Sequence, residues 1–154
     1  METRIYRTTF KDCYENVAPG RYIDPELKKL VDELNATVFM GRIPLDRMLF
    51  LAFVDMNQER TKKIFGGICT PRNLGGNKYY GIGIEYAVKD VDPAQFRQIV
   101  IHELVHAMLW VEGKPYKDSE KDFIFECGWY HGARYHTLSR EIKAFDYASV
   151  EFDG

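Results

Sequence analysis

The 154-residue chain carries 21 basic and 23 acidic side chains, a formal charge of −2, and 45% hydrophobic residues that include 10 Tyr and 10 Phe. Such content argues against a disordered chain and supports one domain over residues 1–154, with a core large enough to need no disulfides. Cys13, Cys69 and Cys127 show no C-x-x-C spacing, which argues against a disulfide framework or a cysteine zinc knot and fits a reducing compartment. No apolar run approaches a membrane span and "METRIYRTTFKDC" lacks a signal-peptide core, so the expected location is the cytoplasm, with no membrane partner.

In chain order, "DPELKKLVDELNATVFMGRIP" opens with Asp24 as an N-cap and Pro25 at the first helical position, where its missing N–H costs nothing. Leu27, Leu30, Val31, Leu34 and Val38 recur at helical spacing, and Gly41 with Pro44 marks the stop. "MLFLAFVDM" (48–56) is a short continuous apolar run and reads as a buried strand. "KIFGGICT" (63–70) reads as a second strand with a bulge or bend at Gly66-Gly67, and "PRNLGGNK" as a turn. "YYGIGIEYA" (79–87) is the third strand. Tyr80, Ile82, Ile84 and Tyr86 share one face, and Gly81 and Gly83 leave the other bare enough for a second backbone to come close.

The same Asp-Pro start recurs at Asp92 and Pro93, and Gly113 with Pro115 ends the helix it begins. Apolar residues from Phe96 to Val111 cover nearly the whole wheel, so this helix is central. "KPYKDSEKDFIFECGWY" has no assigned structure, and residues 132–145, "GARYHTLSREIKAF", are expected to form a last helix. The fold class is therefore α+β: a helix, a small three-stranded antiparallel or mixed sheet, a central helix and a C-terminal helix.

Within the central helix lies "HELVH", residues 102–106. His102 and His106 fall about 40° apart on the wheel, one turn above each other, the spacing for two ligands of one tetrahedral metal. Glu103 is angled away by about 60° from His106, near enough to take a proton from water without being a ligand. Hence H-E-x-x-H is a hydrolase signature. The competing reading is an accidental match, but burying three polar groups without partners costs about 1–3 kcal/mol each, and a metal relieves that cost. One further ligand must come from elsewhere. His131 and His136 are five residues apart, about 140° on a helix, so one serves and not both.

With "HELVH" followed by His131-Gly132-Ala133-Arg134-Tyr135, and preceded by "LVDELNATVFMGRIP", the chain resembles the SprT-like metallopeptidases, which include the Spartan proteases of DNA–protein crosslink repair. The resemblance spans about residues 25–145. It implies a zincin-like minimal metalloprotease core, one Zn²⁺ per chain held by His102, His106 and His131, and Glu103 as general base. His136 then becomes a helix-face bystander. Three features depart from the family: a longer spacing from His106 to His131, Tyr135 in an aromatic position usually held by Phe or Trp, and no cysteine-rich or long basic tail. A thermolysin-like alternative casts Glu120 or Glu126 as third ligand.

The expected substrates are proteins, with the peptide added as a strand along Tyr80, Gly81, Ile82, Gly83 and Ile84. Residues 60–84 hold five basic residues (Arg60, Lys62, Lys63, Arg72 and Lys78) and no acidic one, a stretch that can track phosphates of single-stranded DNA while Tyr79 and Tyr80 stack bases. DNA-dependent activity is implied mainly by the resemblance. Two other functions remain open: a non-catalytic, zinc-stabilised binding module for DNA or protein, and a metal-dependent amidase of another substrate.

Overall fold

The computed structural model describes residues 4–16, 22–56, 64–90, 93–133 and 137–138. The chain runs through β1 (Ile5–Arg7), α1 (Phe10–Asn16), β2 (Tyr22–Ile23), α2 (Pro25–Thr37), β3 (Met48–Asp55), β4 (Ile64–Phe65), β5 (Gly67–Leu74), β6 (Asn77–Glu85), α3 (Pro93–Glu112), α4 (Lys121–Trp129) and β7 (Thr137–Leu138). This is a mixed α+β arrangement with four helices among the described residues. No helix there is long and apolar enough to cross a membrane.

The start of α2 follows its local chemistry. The Asp24 carboxylate accepts from the backbone N–H groups of Glu26 (2.9 Å) and Leu27 (3.1 Å), with Pro25 in the first turn. Leu27, Val31 and Leu34 then face the core. At the far end of α3, Gly113 takes φ +76°, a conformation that glycine tolerates, while Lys114 N–H bonds back to Leu109 O (2.9 Å).

The main sheet is larger than the three strands expected. Its order is β1-β3-β6-β5, and β2 also pairs with β3. β1, β2 and β6 run parallel to β3, while β5 is antiparallel to β6. Most of "PRNLGGNK" is strand, since β5 continues to Leu74 and only Gly75-Gly76, with φ +59° and +85°, form the turn. α2, α3 and α4 cover the sheet face carrying Leu51, Phe53, Cys69, Tyr80, Ile82 and Ile84. The opposite face, with Phe50, Ala52, Val54 and Ile68, packs against Cys13 of α1. Within α3 every residue from Ile99 to Leu109 is buried, as its apolar wheel predicts.

Two expectations are corrected. Residues 132–145 are not one helix: Thr137–Leu138 pairs antiparallel with Ile64–Phe65, so long-range pairing overrides local helical preference. The fourth helix lies earlier, in the stretch left unassigned. Nor is β6 a free edge for substrate. Tyr80, Gly81, Ile82, Gly83 and Ile84 pair with β3 on one side and β5 on the other. The glycine pattern there serves internal packing. A Cβ on Gly83 would lie 3.1 Å from Ile68 Cγ2 and 3.1 Å from Val54 Cγ1, both from buried side chains.

One polar hub ties three segments together. Arg42, in the turn after α2, donates to both carboxylate oxygens of Glu112 (2.9 Å each), to Glu126 (3.1 Å) and to the Tyr130 hydroxyl (3.0 Å). The bond from Arg42 holds the Glu112 carboxyl below its ordinary value of 4.5, against the opposing effect of partial burial.

Gly83→Leu is expected to destabilise the protein by about 1–3 kcal/mol through overpacking, read as a lower denaturation midpoint. An unchanged midpoint would mean that Val54 and Ile68 yield freely. The Arg42–Glu112 pairing should be complete above pH 4.5 and lost as pH falls through the lowered Glu112 value. A double-mutant cycle of Arg42→Met and Glu112→Gln should therefore show coupling at neutral pH that vanishes in strong acid; coupling independent of pH would contradict it.

Candidate metal centre

Because α3 is buried on all sides, the polar groups on its inner face need partners from the chain around it. The ring Nδ1–H of His102 donates to Ala133 O, and that of His106 donates to Tyr116 O. These bonds commit each Nδ1–H to a carbonyl, so it is each Nε2 that faces inward, free to bind a metal in place of a proton. The two Nε2 atoms are 3.1 Å apart. Asp118 Oδ1 lies 3.1 Å from His102 Nε2 and 2.8 Å from His106 Nε2. His102, His106 and Asp118 thus bring three ligand atoms within 4.8 Å of one another, and the group could hold a metal ion.

Electrostatics favour a cation at this point. Burial opposes charge on the His102 ring, yet the negative charge of Glu103 and the bond to Asp118 outweigh it and hold its pKa well above the ordinary value. Surroundings that favour a proton there also favour a metal, and two imidazole nitrogens with one carboxylate oxygen form a fitting donor set for zinc. Cys69, on β5, stays a thiol: burial, with the charges of Glu103 and Asp118, pushes its pKa well above the usual range. It is not part of the ligand group.

Glycines and an aromatic shape the space. A Cβ on Gly67 would lie 3.0 Å from Glu103 Oε2, so β5 passes directly beside the glutamate. Phe123, on the first turns of α4, stacks on His106 with centroids 3.9 Å apart and planes 16° apart, and meets His102 edge-on at 4.9 Å.

His131 is set apart from this group. It takes φ +60°, is exposed, and lines a surface cavity of about 460 Å³ with Arg97, Trp129 and Tyr130. Among the described residues, the group that could hold a metal contains Asp118 and not His131. The glycine that follows His131 serves close packing, since a Cβ on Gly132 would lie 2.8 Å from Cys127 Sγ and 3.2 Å from the His102 backbone N. That close approach lets Ala133 bond through its N–H to Gln98 O (2.9 Å) and through its carbonyl to His102. The described part of this motif, residues 131–133, thus reaches the site through the Ala133 backbone. Glu126 is committed to Arg42, Glu120 is exposed at the start of α4, and His136 lies outside the described residues.

Sequence reasoning missed Asp118. The available signal was an acidic residue in the short connection after the histidine helix, followed five positions on by an aromatic, Phe123.

Of the five basic residues, the two that are described, Arg72 and Lys78, are engaged within the fold. Arg72 donates to Tyr14 O and Pro71 O (2.9 Å each), and Lys78 sits 4.7 Å above the Trp110 ring. Tyr80 is fully buried, with its hydroxyl donating to Pro44 O (3.1 Å), so it cannot stack a base. Arg60, Lys62 and Lys63 lie outside the described residues.

Metal analysis of purified protein should find one zinc per chain, retained in His131→Ala and lost in Asp118→Ala. Zinc lost from His131→Ala but kept by Asp118→Ala would reverse the assignment.

In comparisons with protein-family models, with curated proteins and with solved structures, the chain matches none.

Proposed function

We propose that this domain is a zinc-dependent peptidase of the SprT-like, zincin-like kind, with His102, His106 and Asp118 as ligands and Glu103 as general base. The observation that carries the reading is the convergence of three ligand atoms on a buried point with a second carboxylate next to the first histidine. A ligand set alone suits many roles, but a ligand set with an adjacent non-ligand carboxylate suits hydrolysis.

Zinc, when bound, supplies Lewis acidity that lowers the pKa of a water toward neutrality and polarises a carbonyl. Glu103 would accept the proton of the attacking water and return it to the departing amine. Ala133 and Tyr116, through their carbonyls, hold the two imidazoles in the tautomer that such a site needs. Burial keeps the surroundings at low dielectric, which strengthens every charge interaction there.

The substrate class proposed is protein. Among the described residues β5 pairs with β6 and with no strand on its other side. Its Gly67 end passes Glu103, so an extended peptide added along β5 would lie beside the base, held by backbone bonds with little sequence preference. Arg72 and Lys78 have partners within the fold, which favours protein over single-stranded DNA as the substrate-side partner.

One observation favours a second reading. His102, Glu103 and His106 are each at most 1% exposed, as suits a metal that only fixes the fold. Such a site closes with four protein ligands, whereas among the described residues the group has three.

Glu103→Gln separates the two readings. Hydrolysis of a disordered protein substrate should fall by about 10²–10⁴-fold while bound zinc stays unchanged. Equal activity in the variant, with metal bound, would leave the structural reading standing.

A further inference from the structure

The segment 113–120 supplies both the Tyr116 carbonyl that orients His106 and the Asp118 carboxylate that meets both imidazoles. It leaves the end of α3 at Glu112 and enters α4 at Lys121. A short connection of this kind places its middle accurately only if its two ends are held at a fixed separation.

We infer that Arg42 is a positioning residue for the metal centre: by clasping Glu112 on α3 and Glu126 with Tyr130 on α4, its guanidinium sets where Asp118 stands. The inference rests on the metal reading above. Arg42 touches neither histidine nor Asp118, so it acts through the span it closes. The fork is suited to this role because four of its bonds go to three side chains at once: two to Glu112 at 2.9 Å, one to Glu126 at 3.1 Å and one to Tyr130 at 3.0 Å. A lysine ammonium is a point charge and cannot reproduce the paired geometry.

The arginine is itself held in place. Gly41, at φ +85°, donates to Asn35 O (2.7 Å), Arg42 N–H donates to Phe39 O (3.1 Å), and Ile43 N–H donates to the Asn35 side chain (2.9 Å). Phe39 packs its ring 4.4 Å from that of Tyr130. The turn after α2 therefore presents the guanidinium to α3 and α4 from a fixed base.

The experiment is a double-mutant cycle on zinc affinity, measured by chelator competition in wild type, Arg42→Lys, Asp118→Asn and the double variant. Thermal midpoints of the metal-free proteins and visible spectra of the cobalt-loaded proteins are taken alongside. Arg42→Lys should weaken zinc binding by about 10–100-fold, the range for outer residues that orient ligands, and should alter the cobalt spectrum. In the Asp118→Asn background the same change should cost less than about twofold, because the ligand that Arg42 places is already impaired. Equal losses in both backgrounds would make Arg42 a general fold residue and overturn the inference, as would an Arg42→Lys affinity equal to wild type. Wild type that binds no zinc would instead overturn the metal reading itself. Should Arg42→Lys not fold, Glu126→Gln and Tyr130→Phe each remove one arm of the fork and carry the same comparison.

Discussion

Three electron-pair donors aimed at one point inside an apolar core are mutually repulsive unless something positive lies among them. His102, His106 and Asp118 are held in that arrangement by separate parts of the chain, and much of the surrounding structure is explained by the need to reach them. The two imidazoles come from one face of α3, the carboxylate from the connection to α4, and the carbonyls that fix the tautomers from Tyr116 and Ala133. Gly67 and Gly132 sit where any side chain would block an approach to α3, at Glu103 in the first case and at Cys127 and the His102 backbone in the second. A glycine near a functional motif can therefore mark close passage of backbone and need not mark a turn.

The sheet obeys a different constraint. From Tyr80 to Ile84, β6 is paired along both edges and buried, with Tyr80, Ile82 and Ile84 in the cluster that holds α3 and, on the other face, Gly83 toward Val54 and Ile68. Small residues on that second face leave room for β-branched neighbours. The outer strand, β5, brings Gly67 past Glu103, so the element next to the base is the one with an unpaired side among the described residues.

Three of the long cations join separate elements of the fold. Arg72 satisfies a carbonyl at the end of α1, Lys78 covers Trp110, and Arg42 joins α2 to α3 and α4. Each of these cations has a flexible stem long enough to reach a partner on another element. A run of basic residues read from sequence alone gives no hint of that, because the partners are a carbonyl, an indole and two carboxylates scattered along the chain.

The residues themselves determined the local features. Asp24 and Pro25 start α2, the uninterrupted apolar wheel makes α3 central, and the i, i+4 spacing of His102 and His106 puts two imidazoles on one spot, since all three depend only on backbone period and neighbouring side chains. Only the tertiary structure decided which third side chain joins the two histidines, the strand neighbours and the use of the arginines. Asp118 reads in sequence as one acid among several in a polar loop, and it becomes a ligand candidate because the loop carries its carboxylate to 2.8 Å from His106 Nε2 and 3.1 Å from His102 Nε2. His131 and Gly132 do bear on the centre, but through the Ala133 carbonyl, a contribution from backbone atoms that every residue carries and that no side-chain pattern can therefore reveal.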